Sequence, residues 1–337
     1  MTDTIPFVAS HVTAVIEGIR LLESFVTAPL GLHSDIKMLR ESLPFPEAEG
    51  LSREEERERR TAFTSLTDTP LELALHTVSS LGVSLDVLES AGGQGGSPLE
   101  EAWVAQARRV LTRAESRVAG DIRGRLASGI QGLYVIVDPE ATNGRPVRDV
   151  AEAALRGGAG VLQLRDKKGD KGEVLPVALD LKAMCDEHGA LFIMDDDADL
   201  ALSVHAHGLH VGQSDLPVRE ARRVLAPRQI VGRSNSTLQE AMDSQAQEAD
   251  YIAVGAVYPT STMGKTKRGA VGPELVSEVK ERVGQPVVAI GGIDAANVEE
   301  VVKAGADCVC VVSAVTFADD PEAAARGLVE AIERASA

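Results

Sequence analysis

The sequence predicts a (β/α)8 TIM barrel over residues 129–337, preceded by an all-helical domain over residues 1–128. Three observations carry that expectation. Before residue 128, apolar residues recur at three- and four-residue steps, which marks buried helix faces. After residue 130, short β-rich runs alternate with helix-length segments, the grammar of a parallel sheet. Eight such units in about 205 residues are enough to close a barrel, near the small end of its size range.

In the first domain, Val12, Val15, Ile16, Ile19, Leu22 and Val26 share one face of a helix. The pattern resumes through Leu39 and Leu43. It stops at Leu43-Pro44-Phe45-Pro46, because proline restricts its own backbone and that of the residue before it. Thr69-Pro70-Leu71-Glu72 and Ser97-Pro98-Leu99-Glu100 each predict a helix start, with a capping hydroxyl, a first-turn proline and a carboxylate that reaches back. The second of these helices continues through Trp103, Ala107, Val110, Leu111, Ala114 and Val118. Gly92-Gly93-Gln94-Gly95-Gly96 has no strand before it and no Gly-Lys-Ser/Thr after it, so it reads as a flexible linker. The mixed-sign run Arg53 to Arg60 reads as a solvated helix or linker.

In the second domain the predicted strands are Leu133–Val137, Gly160–Leu164, Leu191–Met194, Gly208–Val211, Gln229–Gly232, Tyr251–Val257, Pro286–Ile290 and Asp307–Val312. An open doubly wound sheet is the alternative. It usually carries a Gly-x-Gly-x-x-Gly turn after its first strand, and here that turn is Asp138-Pro139-Glu140-Ala141-Thr142-Asn143.

Composition narrows the function. The 34 basic and 51 acidic residues give a net charge of −17, and both halves of the chain are acidic. Aromatics make up 3% of residues. Neither the basic footprint nor the stacking surface of a nucleic-acid binder is present. No membrane span and no secretory leader are expected. Three cysteines without a Cys-x-x-Cys pair exclude a disulfide scaffold, and a reducing cytoplasmic setting is expected. The sequence does not choose between a monomer and a homo-oligomer.

Barrel enzymes work at the C-terminal ends of their strands. There the chain carries Gln163-Leu164-Arg165-Asp166-Lys167, Asp195-Asp196-Asp197, Gly212-Gln213-Ser214-Asp215, Ser234, Pro259 to Lys265, Gly291-Gly292 and Ser313. Period-two alternation turns Gln163, Arg165 and Lys167 to one side. Carboxylates with room for water suit Mg2+, which commonly bridges to substrate phosphates. Arg and Lys bind polyphosphate directly. Glycines and small hydroxyls after the last two strands suit a phosphate cup. Two anion sites, one metal-assisted and one built from backbone, fit two phosphorylated small-molecule substrates. Blander readings stand beside these. Arg165 and Lys167 pair with Asp166 or Asp170 at the surface; Asp195 to Asp197 form a solvated turn; Gly291-Gly292 is a packing turn. His205, His207 and His210 are structural rather than a zinc site, and Cys308 and Cys310 are buried, inert thiols.

At these residues the sequence resembles the thiamine phosphate synthases, over about residues 131–335. The similarity is carried by Gln163 to Lys167, Asp195-Asp196, Gly208 to Asp215, Tyr251 to Thr262 and Ile290-Gly291-Gly292-Ile293. It implies a transferase that joins hydroxymethylpyrimidine diphosphate to a thiazole phosphate and releases pyrophosphate. It implies that Gln163, Arg165, Lys167 and Ser234 face the pyrimidine diphosphate and that Asp196 and Asp215 hold Mg2+. Thr260, Ser261, Thr262, Gly292, Val312 and Ser313 match positions that hold the thiazole phosphate. The implied chemistry is dissociative, with no nucleophile–base pair evident. Two positions depart from the family pattern: Asp195 stands where Asn is usual, and Met263 where Lys is usual. Lys265 is expected to supply the missing cation. The alternatives are a related barrel that only tautomerises the thiazole phosphate and a non-catalytic thiazole phosphate sensor. Neither requires Arg165, Lys167 and both metal carboxylates.

Val15-Ile16-Glu17-Gly18-Ile19-Arg20-Leu21-Leu22-Glu23 resembles the Glu-Gly-Leu-Arg helix of a small alternative hydroxymethylpyrimidine phosphate kinase domain. The polar residues usual just upstream are replaced by Ala9, Ser10, His11, Thr13 and Ala14. A packing, assembly or regulatory role is therefore expected for this domain rather than kinase activity.

Overall fold

Apolar periodicity becomes helix in the N-terminal part. The computed structural model of the chain describes residues 4–25, 31–43, 70–91, 99–260, 262 and 269–337. Helices α1 (Thr4–Phe25), α2 (His33–Glu41), α3 (Pro70–Ala91) and α4 (Glu101–Ser128) come first. Val15, Ile16, Ile19 and Leu22 of α1 are buried as their spacing predicts, and Val12 is half-buried. Val26, Thr69, Ser97, Pro98, the glycine-rich run and the Arg53 to Arg60 run lie outside the described residues. Gly18 has a packing reason to be glycine: a Cβ there would lie 2.7 Å from Leu81 Cδ2 on α3. Within the Glu-Gly-Ile-Arg motif, Arg20 donates to Glu17 along the helix at 2.7 Å. Arg40 Nε donates to Glu23 Oε2 at 2.6 Å, with both side chains about nine-tenths buried. Trp103 Nε1 donates to Ser42 Oγ at 3.0 Å.

One sequence expectation changes here. Helix α4 starts at Glu101 rather than at Pro98. Leu99 is first turned into the core, and Glu100 accepts the first helical bond, from Val104 N at 3.0 Å. The stretch Leu71–Ser90 of α3, with a mean hydropathy of 1.3, is long and apolar enough to cross a membrane by length and composition alone. Within the structure 44% of it is buried, including Ala74, Val78, Leu81, Leu85 and Leu88, as in the core helix of a helical domain.

The chain divides into two compact units, Met1–Ile122 and Arg123–Ala337. The second is a closed parallel barrel in strand order β1 to β8. Its strands are β1 (Gly132–Val137), β2 (Val161–Leu164), β3 (Leu191–Asp195), β4 (Gly208–Val211), β5 (Ile230–Asn235), β6 (Tyr251–Gly255), β7 (Val287–Ile290) and β8 (Cys308–Val311). The eight predicted runs coincide with these to within a few residues. β5 runs on to Asn235, and β6 ends two residues early, at Gly255. β1 pairs with β8 from Gly132↔Cys308 to Val135↔Val311, which closes the ring. Helices α5 (Val147–Arg156), α6 (Lys171–His188), α7 (Ala198–Ser203), α8 (Val218–Val224), α9 (Leu238–Ala246), α10 (Gly272–Lys280), α11 (Val298–Lys303), α12 (Ser313–Thr316) and α13 (Pro321–Ser336) follow the strands. A 3-10 turn, Pro139–Ala141, precedes α5.

Alternation along the strands splits the apolar residues into two layers. Leu133, Val135, Val137, Leu162 and Leu164 pack outward against residues of the helices, such as Val150, Ala178 and Leu328. Tyr134, Ile136, Val161, Ile193, Ile230, Tyr251, Val288, Cys308 and Cys310 fill the interior. Leu126 and Ile130, just before β1, pack at the N-terminal end of that inner cluster. Gly232 makes room for Tyr251: a Cβ on Gly232 would lie 1.9 Å from Cζ of the ring. The interior is thus a packed core in its lower part, and only its C-terminal mouth is polar.

The three histidines do not converge. His205 sits in a turn with φ +51°, and His207 Nδ1 accepts from Phe192 N at 2.8 Å. His210 points into the barrel. Cys308 and Cys310 are buried, and burial pushes both thiols well above their usual range.

Candidate active site

Each polar residue at the mouth is delivered by strand geometry. In β2, Leu162 and Leu164 face outward, so Val161 and Gln163 face inward. The ladder continues one step beyond the strand, with Arg165 N donating to Val137 O at 3.0 Å, and Arg165 is carried inward too. Arg165 forms an ion pair with Asp138, the residue that directly follows β1 and caps the next turn by accepting from Glu140 N at 2.8 Å. Arg165 Nε also lies 3.5 Å from Asp195 Oδ2. Lys167 Nζ lies 3.1 Å from the same oxygen and pairs with Asp196. The surface pairing of Arg165 and Lys167 with Asp166 or Asp170 does not form. Asp166 instead accepts from Lys168 N at 3.0 Å and from Gly169 N at 2.8 Å. Nor is Asp195 to Asp197 a merely solvated turn. Asp196 N donates to His210 O at 2.9 Å, which extends the β3–β4 ladder, and Asp196 takes φ +58°.

Beneath these charges lies a buried polar chain. Tyr134 Oη donates to Gln163 Oε1 at 2.6 Å, and Gln163 Nε2 donates to Asp195 Oδ1 at 2.7 Å. Tyr134 and Tyr251 hydroxyls are 3.3 Å apart, Tyr251 Oη is 3.0 Å from His210 Nδ1, and His210 Nε2 is 2.8 Å from Ser234 Oγ. Proton counting orders the whole chain. A carboxylate between two cations only accepts, so the Gln163 amide turns its NH2 to Asp195 and its oxygen to Tyr134. The single Tyr134 proton is then spent, so Tyr251 donates to Tyr134. His210 Nδ1 must in turn donate to Tyr251. Burial lowers the His210 pKa against the opposing pull of Asp195 and Asp215, so the ring is neutral and its Nε2 accepts from Ser234. Ser234 therefore offers only lone pairs to a ligand. Burial also raises both tyrosine pKa values, which keeps the hydroxyls protonated.

A cleft of about 1020 Å³ opens beside this network. Ser234, Thr260, Thr262, Gly292, Val312 and Ser313 line it, together with Gln213, Ser214 and Ser236. Thr262 Oγ1 and Ser313 Oγ are 3.2 Å apart. Gly291 and Gly292 adopt φ +104° and +66°, and a Cβ on Gly292 would lie 2.8 Å from Pro259 O. These two positions need glycine for the backbone itself, beyond a role as a packing turn. Asn297 Nδ2 holds Gly292 O at 2.9 Å. Asp215 is fixed by accepting from Gly212 N at 2.8 Å, and its charge reaches His210. Ser261, Met263, Lys265 and Lys267 lie outside the described residues.

The structure thus brings Gln163, Arg165, Lys167, Asp195 and Asp196 into one cluster. Ser234, Thr260, Thr262, Gly292, Val312 and Ser313 meet around one cleft. Sequence reasoning missed Asp138, Tyr134 and Tyr251, and it read His210 only as structural. Asp138 directly follows β1, so the rule that singled out the other strand ends applied to it as well. Two of the chain's three tyrosines occupy inward positions of an aromatic-poor barrel, which was a readable signal.

Comparison with known proteins identifies the family of the barrel. The family model of thiamine monophosphate synthase matches residues 133–315. A thiamine-phosphate synthase of Shouchella clausii (strain KSM-K16) is 44% identical over 207 residues, covering 60% of this chain and 97% of that protein. One of Thermosynechococcus vestitus (strain NIES-2133 / IAM M-273 / BP-1) is 35% identical over 329 residues, covering 94% of this chain and 92% of that protein. Among solved structures, thiamine phosphate pyrophosphorylase from Pyrococcus furiosus superposes with a TM-score of 0.58 at 35% identity, covering 63% of this chain and all of the other. With a matching family model over more than half of its length and a relative aligned nearly end to end, the chain belongs to the thiamine monophosphate synthase family.

Proposed function

We propose that this thiamine-phosphate synthase, a transferase, works by dissociative substitution at the mouth of its barrel. The carbon–oxygen bond between the pyrimidine methylene and the diphosphate breaks, and its electron pair leaves with pyrophosphate. The lone pair of the thiazole nitrogen then forms the new carbon–nitrogen bond. Such a reaction needs charge stabilisation and close positioning more than a strong base. Arg165 and Lys167 bind the diphosphate oxygens as charge develops on them. Ser234, an acceptor only, takes a hydrogen bond from the exocyclic amine of the pyrimidine, and Gln163 packs at the same ring. Thr260, Ser261, Thr262, Gly292, Val312 and Ser313 hold the thiazole phosphate in the cleft and keep water from the cationic carbon. Lys265 supplies the cation that Met263 lacks, and unchanged turnover and diphosphate affinity in Lys265→Ala would remove it from this role.

The donor set fits Mg2+. Among the described residues no group of three or more His, Cys, Asp or Glu side chains gathers to hold a metal unaided. Asp196 and Asp215 are hard oxygen donors that follow neighbouring strands, and Mg2+ commonly takes one or two carboxylates, waters and substrate phosphates. Those two residues would hold it, and when bound it neutralises charge on the departing pyrophosphate.

The observation that carries this reading is the alternation of Arg165 and Lys167 with Asp138, Asp195 and Asp196 at the C-terminal ends of β1, β2 and β3. Incubation of both substrates with Mg2+ is expected to release pyrophosphate in step with thiamine phosphate. Arg165→Gln is expected to lower kcat/KM at least a hundredfold; release at the unaltered rate contradicts the mechanism. We further propose that residues 129–337 form the catalytic domain and residues 1–128 a separate helical domain, since 97% of the Shouchella clausii relative is matched by 60% of this chain.

A further inference from the structure

One oxygen in the mouth has two cations. Asp195 Oδ2 lies 3.1 Å from Lys167 Nζ and 3.5 Å from Arg165 Nε, and the side chain is only 9% exposed. Its other oxygen is taken by Gln163 Nε2 at 2.7 Å. The hydrogen-bond chain from Ser234 ends there, so the carboxylate is fixed from below as well as paired from above. Arg165 and Lys167 are the groups on which the proposed reading depends for diphosphate binding, and this inference rests on that reading. We infer that Asp195 is a resident counter-anion that competes with diphosphate for Arg165 and Lys167 and takes them back when pyrophosphate leaves.

The physical argument is one of exchange. An arriving diphosphate must displace a carboxylate already paired to both cations, so part of its attraction is spent on that displacement. The same exchange runs in reverse after the reaction. Asp195 stands ready to re-pair both cations as pyrophosphate departs, as the one carboxylate that reaches the two together, beside Asp138 on Arg165 and Asp196 on Lys167. Asn at this position would have the same shape, and its oxygen would still accept from Gln163. It would add a donor facing the anion and remove the competitor. Asp195 therefore trades affinity for release, making it a determinant of product inhibition rather than of bond breaking.

The test is pyrophosphate binding by calorimetry on the full chain, with and without Mg2+. Wild type is compared with Asp195→Asn, Asp195→Ala, Arg165→Gln and Lys167→Ala. Asp195→Asn and Asp195→Ala are both expected to tighten pyrophosphate about tenfold in both conditions. In steady state, Asp195→Asn is expected to lower KM for the pyrimidine diphosphate and kcat together. Unaltered or weaker binding in both Asp195 variants overturns the inference. Tightening in Asp195→Asn alone also overturns it, since the effect would then come from the new donor. Weakening confined to the Mg2+ condition makes Asp195 a metal ligand instead and overturns it as well. If Arg165→Gln and Lys167→Ala both leave pyrophosphate affinity unchanged, the reading of the site itself fails. That outcome is distinct from a failure of Asp195 alone.

Discussion

The ring of Tyr251 occupies the space over Gly232, and its hydroxyl joins the two arms of the buried chain. Removing that hydroxyl leaves the His210 Nδ1 donor buried without an acceptor and releases Ser234 from its acceptor-only state. Tyr251→Phe is therefore expected to cost about 1–3 kcal/mol of stability by urea unfolding. It is also expected to lower kcat/KM at least tenfold, and wild-type values for both would break the proton-counting argument. Asp138 separates charge from capping in a second test. Asp138→Asn keeps an oxygen for Glu140 N but loses the charge facing Arg165. The expected outcome is a thermal midpoint close to wild type with an altered KM for the diphosphate substrate. A large fall in stability with KM unchanged would make Asp138 a cap only.

At the level of the element, the strands set direction and the turns after them set function. The two glycines after β7 hold positive-φ backbone, Gly291 against Ala256 and Gly292 against Tyr258 and Pro259. Gly292→Ala is expected to raise KM for the thiazole phosphate at least tenfold while pyrophosphate binding stays at wild-type strength. Equal loss at both ligands would show a general collapse of the mouth. Strand positions were legible because apolar runs such as Leu133–Val137 are too short for a buried helix and too apolar for a surface loop. The inward direction of Gln163 and Arg165 was legible because alternation has period two. The partners of those residues were not. Whether Arg165 meets Asp166 or Asp138 depends on which strands are neighbours, and the β1–β2 pairing, which sets Val137 beside Leu164, decides that. The α4 start was misread because a capping pattern carries no information about the burial of Leu99, which precedes the helix onset at Glu101.

For the whole molecule, acid is the natural probe. Burial, and then Lys182, lower the His207 pKa to about 4 from 6.5, while its Nδ1 accepts from Phe192 N. Below pH 6.5 the unfolded chain binds a proton that the folded chain refuses, so stability falls as pH drops from 6.5 toward 4. After allowing for the fifth of the side chain that is exposed, the loss is expected to reach about 2 kcal/mol. Urea midpoints across that range should show it, and His207→Asn should remove that part of the slope. The two compact units make a further expectation. Residues 123–337 expressed alone are expected to keep synthase activity within a fewfold of the full chain, as measured by pyrophosphate release. Loss of folding in that fragment would tie the barrel to its helical neighbour. The β1–β8 seam has a consequence during synthesis. A growing chain on the ribosome carries β1 with one bare flank until Cys308–Val311 emerge, an open edge that invites mispairing. The wall formed by Val312 and Ser313 arrives only after that last strand, so an incomplete chain lacks one side of its cleft.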